Sequence, residues 1–214
     1  MGYSSAVLPL ALAFALLTQD LAEAKKYLNA LAPPAKDSPF SQLEWDVNGT
    51  HGVGYFKLQQ AWRTDQTNGS RGQINLWNGK EGLTYMMSSN RFVRLTKDSP
   101  AILVATAGAL AEIFYAGNAD RVLKDAQKAT VAADKLDGLD CTHVTVFKKN
   151  KDAEEEHHFW IDRDQACRQY VLKSKSPTKT SELLFAYKAV TPPTTTDETF
   201  KFQPPPDAKD LRNP

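Results

Sequence analysis

Two cysteines in 214 residues are too few for a disulfide scaffold or a four-cysteine zinc site. An excess of one charge is also missing: 26 Lys and Arg against 25 Asp and Glu leave a formal net charge of +1. That balance removes the usual electrostatic argument for nucleic acid or an anionic membrane surface. The chain carries no phosphate-binding loop, dinucleotide fingerprint, nucleophile elbow or HExxH zinc motif. Its apolar run Ala6–Leu17 has twelve residues, short of the roughly 20 that a helix needs to span a bilayer.

What is present is an ordinary globular composition, 42% hydrophobic and 24% charged, long enough to bury one substantial core. Ala6–Leu17 has the length of a signal-peptide core, and Ala22-Glu23-Ala24 supplies a small-x-small cleavage site, although Met1–Ser5 lacks Lys or Arg. The alternative is a buried first helix through Asp20–Leu31, with Leu17, Leu21, Ala24, Leu28 and Leu31 at helical spacing. Residues 1–24 are therefore read as a signal peptide or an apolar N-terminal helix, and residues 25–214 as a single domain. Export, with a soluble periplasmic product, is the expectation.

Pro33-Pro34 ends that helix, and the periodicity then changes to two. Leu43, Trp45 and Val47 alternate with charged residues, and Asn48-Gly49 supplies a turn. Val53–Thr64 reads as one longer strand with Phe56, Leu58 and Trp62 on one side. Asn68-Gly69-Ser70 and Asn78-Gly79 break the chain around Gln73–Trp77, and Leu83–Ser88 and Arg91–Thr96 follow as short strands. Asp98-Ser99-Pro100 opens a helix whose apolar face includes Ile102, Leu103, Ala107, Leu110, Ile113 and Phe114. Gly117-Asn118 ends it, and Asp120–Ala133 reads as a second helix, giving a helical insert over about 99–133. Strands resume at Asp140–Lys148, Glu156–Asp162, Cys167–Lys175, Glu182–Val190 and Phe200–Gln203, before an extended Pro204-Pro205-Pro206 tail. The fold class is thus α+β: a curved antiparallel sheet of about ten strands, forming an open half-barrel with helices over its concave face.

Four segments resemble a known family. Gly54-Tyr55-Phe56-Lys57-Leu58 with Trp62-Arg63 matches its second-strand pattern. Leu76-Trp77-Asn78-Gly79-Lys80 followed by Leu83-Thr84-Tyr85 matches its turn-Gly-Lys hairpin. Asp137-Gly138-Leu139-Asp140-Cys141 through Trp160-Ile161-Asp162 matches a later hairpin, and Thr199-Phe200-Lys201-Phe202-Gln203-Pro204-Pro205 the closing F-x-F-x-P-P. From about residue 20 to 211 the chain resembles the lipoprotein carrier superfamily, LolA and LolB with RseB-like relatives. The resemblance implies noncatalytic binding and transport of a hydrophobic ligand, lipid or the acyl chains of a lipoprotein, across the periplasm of a diderm bacterium. Its RseB-like branch implies an alternative, an envelope sensor or protein-interaction module. The carriers have an arginine near the end of the second strand that holds a lid closed. Here that stretch is Gln59-Gln60-Ala61, so the lid mechanism does not transfer, and Arg63 is the nearby candidate substitute.

The candidate ligand-binding residues form an aromatic and apolar stripe, Trp45, Phe56, Leu58, Trp62, Leu76, Tyr85 and Met87. Alternation places them on the concave face, under a plug of Ile102, Leu103, Leu110 and Phe114. Plain core packing explains the same residues one by one. His157 and His158 are sequence neighbours and face opposite sides of a strand, so they cannot share a metal; His143 with His157 lacks further ligands at suitable spacing. Glu154-Glu155-Glu156 after Lys148-Lys149-Asn150-Lys151 is a solvated hairpin tip. No catalytic residue, metal or cofactor is expected, nor a nucleic-acid partner, and the protein is expected to be a monomer. Cys141 and Cys167 sit one strand apart, about 9 to 10 Å in a flat sheet. That exceeds the roughly 7 Å limit for a disulfide, whereas export favours pairing, and the question stays open.

Overall fold

Asn48 and Gly49 take φ of 49° and 76°, and Asp137 and Gly138 take 50° and 83°. Two consecutive left-handed residues make the tight turn whose twist matches paired antiparallel strands, and these turns pin two of the hairpins. The computed structural model describes residues 20–31, 38–96, 100–189 and 193–212. Ala6–Leu17, Pro33-Pro34 and Asp98-Ser99 lie outside the described residues.

Helix α1 covers residues 20–30. Six strands follow: β1 (Phe40–Val47), β2 (Thr50–Lys57), β3 (Ala61–Asn68), β4 (Arg71–Trp77), β5 (Gly82–Met86) and β6 (Arg91–Leu95). Helices α2 (Pro100–Ala116) and α3 (Asp120–Leu123) precede β7 (Ala126–Leu136), β8 (Leu139–Lys149), β9 (Glu154–Asp162), β10 (Cys167–Lys175), β11 (Thr180–Ala189) and a short β12 (Lys209–Asp210). All belong to one 12-stranded sheet in the order β12-β6-β5-β4-β3-β2-β1-β11-β10-β9-β8-β7, which does not close on itself. Every neighbouring pair is antiparallel except β12 with β6. Two meanders therefore join along one seam, where Leu43, Glu44, Trp45 and Asp46 of β1 face Ala189, Lys188, Tyr187 and Ala186 of β11.

Both long helices pack on the same side of the sheet. Ala24, Leu28 and Leu31 from α1 and its end, and Leu103, Leu110, Ile113 and Phe114 from α2, share one core. Trp45, Phe56, Trp62, Val144, Phe159, Tyr170 and Phe185 of the strands complete it. Ala22-Glu23-Ala24 lies within α1, where Ala24 is fully buried.

Four elements differ from the sequence reading. Val53–Thr64 is two strands, because Leu58, Gln59 and Gln60 turn the chain, with Gln59 at φ 57°. The helix expected over Asp120–Ala133 stops at Leu123, and β7 takes over. Its Ala and Lys content favours a helix, but the Asp137-Gly138 turn directs the segment back along β8, with which it pairs from Ala126 to Leu136. Phe200–Gln203 is not a strand: Asp197–Phe200 is a 3-10 turn with a Thr196/Thr199 capping box. Nor does the chain run off after Pro204–Pro206, since β12 returns to pair with Arg91 and Phe92 of β6. The sheet thus has twelve strands rather than about ten.

Candidate functional site on the helix side of the sheet

Register fixes which side chains meet α2. Ser41, Phe56, Trp62 and Trp77 stand opposite one another across β1, β2, β3 and β4, all on the helix side. Trp45 lies two pairs along from Ser41, over the glycines of β2: a Cβ at Gly52 would sit 2.2 Å from its indole ring. Phe56 stacks on Phe114 of α2 with ring centroids 5.8 Å apart. The indole N–H groups of Trp45 and Trp62 and the Ser41 hydroxyl are buried without a hydrogen-bond partner among the described residues. Such donors are costly to leave unmatched in an apolar setting.

Helix α2 is broken at Gly108, whose φ of 71° and ψ of 177° interrupt the helical path. No other residue fits there, because a Cβ would lie 2.6 Å from the Tyr187 hydroxyl and 2.7 Å from the Tyr170 ring. Side chains from both meanders use the carbonyls freed at this break. Tyr187 Oη donates to Ala107 O at 2.6 Å, and Gln66 Nε2 donates to Thr106 O. Burial raises the Tyr187 phenol well above its ordinary range, with neighbouring Tyr170 adding to the shift, so it stays a neutral donor. The far end of α2 is held by the β2–β3 turn. The Gln59 backbone N–H donates to Tyr115 O at 2.6 Å and its side-chain amide to Ala116 O at 3.0 Å.

Beside the tryptophans runs a polar ladder. Asn75 donates to Thr64 Oγ1 at 3.1 Å and accepts from Gln73 at 2.9 Å and Thr84 at 2.8 Å. Thr64 and Asn75 are fully buried.

The expected stripe is divided between the two sides of the sheet. Trp45, Phe56, Trp62, Leu103, Leu110 and Phe114 come together in the core, with Ile102 packed at its margin. Leu58 lies in the β2–β3 turn, near the end of α2. Leu76 and Tyr85 point to the outer side: Leu76 clusters with Ala61 and Phe200, and Tyr85 meets the Phe202 ring at 5.7 Å. Met87 sits in a 3-10 turn, 47% exposed. The extra turn at Gln59 and the change of side between Trp62 and Leu76 defeat a simple count by two.

Arg63 also lies on the outer side. It forms a forked pair with Asp65, both contacts 2.7 Å, and donates to Thr199 O at 3.1 Å. It therefore ties down the C-terminal strap over residues 197–208 and does not touch α2. Gln59 is the residue that bonds to the helix. Gln59 stood out in the sequence only as part of the stretch lacking an arginine, and neither Gly108 nor the Thr64–Asn75 ladder stood out at all. The visible signal was Thr64 and Gln66 at strand spacing, a pattern usually read as a wet face.

The histidines separate as strand parity requires. His157 is buried on the helix side, 2.9 Å from Tyr170 Oη. His143 and His158 meet on the outer side, 3.1 Å apart, with Trp160 stacked on His143 at 4.2 Å. Among the described residues no group of three or more His, Cys, Asp and Glu is placed to hold a metal ion. Cys141 and Cys167 are buried free thiols. Cys141 pairs with Asp162 across β8 and β9, Cys167 with Ile161 across β10 and β9, so they occupy opposite sides. Burial raises both thiols above their ordinary range.

Comparison with known proteins adds a family. The family model described as "Predicted periplasmic protein (DUF2092)" matches residues 62–212, well over half of the chain. The chain belongs to this DUF2092 family. Periplasmic location thus agrees with the export read from the N-terminus, and no described helix is long and apolar enough to cross a membrane. The DUF2092 chain is also similar in fold to an uncharacterized conserved protein from Thermus thermophilus, at 13% identity and a TM-score of 0.53. That alignment covers 91% of this chain and 98% of the other. No curated protein matches it.

Proposed function

We propose that this DUF2092 protein is a noncatalytic carrier for a hydrophobic ligand, lipid or the acyl chains of a lipoprotein, held between α2 and the sheet. In this reading the sheet curves round its helices as an open half-barrel, as the lipoprotein carriers do. The observation that carries it is the mounting of α2. A helix laid on Phe56 and Tyr170 is broken at Gly108 and held at its polar contacts by Gln59, Gln66 and Tyr187. Releasing the Gln59 contacts frees the 109–116 segment to lift, and its apolar contacts pass to the ligand. At roughly 25 cal/mol per Å2, burying several hundred Å2 of acyl chain is worth several kcal/mol, enough for capture and weak enough for release. The indole N–H groups of Trp45 and Trp62 and the Ser41 hydroxyl suit the ester or carboxyl oxygens of such a ligand.

The test is native mass spectrometry of protein purified from its own envelope, followed by lipid extraction and by uptake of a fluorescent fatty acid. A bound lipid is expected. A cysteine pair, Gln59→Cys with Ala116→Cys, should block uptake when oxidised and restore it when reduced. A protein that is empty and also refuses added lipid points instead to the envelope sensor or interaction module.

A further inference from the structure

The two ends of the sheet are finished differently. At one end the strap returns as β12 and covers β6. At the other, β7 pairs with β8 alone among the described residues, leaving an eleven-residue edge without proline. An edge of this kind presents a row of unpaired N–H and C=O groups, a template for another strand.

The side chains on that edge select an occupant. Past a bulge between Ala126 and Lys128 the strand is regular. Lys128, Thr130, Ala132 and Asp134 share the outer side with His143 and Thr145; Ala129, Val131 and Ala133 share the helix side with Val144 and Val146. Place a second β7 antiparallel against the first, with a two-fold axis through Val131. Lys128 then faces Asp134 of the other copy, twice over. Ala129 faces Ala133, Thr130 faces Ala132, and Val131 faces itself. Moving the axis to Ala132 puts each Lys128 against Leu136 and each Lys135 against Ala129. Moving it to Thr130 sets Lys128 against Ala132 and Asp134 against Ala126. Of these three registers only the first matches the charges, and it keeps the outer and helix sides of the two sheets continuous.

Both charges are exposed along the edge. Lys128 is exposed, lying over the Phe147 ring at 5.5 Å, and no described carboxylate pairs with it. Asp134 is exposed; its Oδ2 accepts from Trp160 Nε1 at 2.9 Å and lies 3.5 Å from His143 Nδ1, while its Oδ1 accepts from the Lys135 amide, which leaves acceptor capacity for a lysine. The small residues Ala129, Ala132 and Ala133 let the backbones approach.

We propose that two copies of this chain associate through β7, antiparallel about Val131, joining their sheets into one. This replaces the monomer expected from sequence and is independent of the carrier reading.

Sedimentation velocity of the full mature chain across a wide concentration range tests it. A reversible dimer is expected. Lys128→Glu sets two carboxylates against each other and should weaken association at least about tenfold, in line with like-charge costs at interfaces. Lys128→Glu with Asp134→Lys exchanges the charges and should restore it. Circular dichroism checks that each variant is folded. Hydrogen exchange on the unmodified chain gives a second reading, in which amides of residues 128–134 become protected as concentration rises. A wild type that stays monomeric overturns the proposal. So does a dimer indifferent to Lys128→Glu, a double variant that does not recover, or an edge protected only when a different envelope protein is added.

Discussion

The two meanders of this DUF2092 protein meet along one seam and are built in opposite ways. On the helix side of β9–β11, Phe159, Tyr170, Phe185 and Tyr187 stack in series, with successive centroids 5.0, 5.6 and 5.8 Å apart. The same side of β3–β5 carries the hydrogen-bonded Thr64, Gln73, Asn75 and Thr84. The outer sides reverse the contrast. Over β3–β5 the strap lays Phe200 and Phe202 on Ala61, Tyr55, Leu76 and Leu83. Over β8 and β9 the outer side carries His143, His158 and Trp160, half-buried and stacked on one another. One half is fixed by apolar area, which tolerates small shifts; the other by directional bonds that need every partner in place.

Substitutions sharpen that contrast. The largest effect is expected for Phe159→Ala, a fully buried ring in the aromatic series, at about 3–5 kcal/mol by urea denaturation. Asn75→Ala should cost less, about 1–3 kcal/mol, through the partners it leaves unpaired. Equal costs at these two sites would break the comparison. Arg63→Met releases Thr199 and the contacts with the Tyr55 and Phe202 rings, at 5.9 and 5.3 Å. It is expected to cost about 1 kcal/mol and to speed protease cleavage between residues 197 and 208, leaving the rest of the chain intact.

The smallest effect belongs to the outer histidines. Burial holds His143 and His158 below the ordinary imidazole value of 6.5. His158 and Lys173 push His143 further down; Lys173 and His157 do the same to His158. Asp134 opposes the shift at His143, and Glu156 opposes it at His158. Between 6.5 and the lowered values the unfolded chain binds more protons than the folded one. Their contribution is therefore complete above 6.5 and declines as pH falls through the folded values. Melting temperature measured against pH should show this decline, and His143→Gln with His158→Gln should flatten it.

Much of the sheet could be read in advance because its turns are chemically marked. Asn48-Gly49, Gly69, Gly79 and Asp137-Gly138 all take the positive φ that their residues favour. The turn at Gln59 has no such mark; its conformation is supported by bonds to Tyr115 and Ala116, more than fifty positions away. β7 was hidden for the opposite reason, since its local composition favours a helix and only pairing with β8 overrides it. The core half of the proposed site was legible as alternation around Trp45 and Phe56. Leu76 and Tyr85 were assigned to the wrong side because no composition signal says which face the strap will cover.

The seam between β1 and β11 also bears on how the protein is made. Each hairpin pairs residues near in sequence and forms on the microsecond scale. β1, by contrast, waits for β11, which follows β2 to β10 along the chain, and β6 waits longer still for β12. A chain delivered N-terminus first therefore holds its first meander as a sheet with two open edges until β11 and β12 have been delivered.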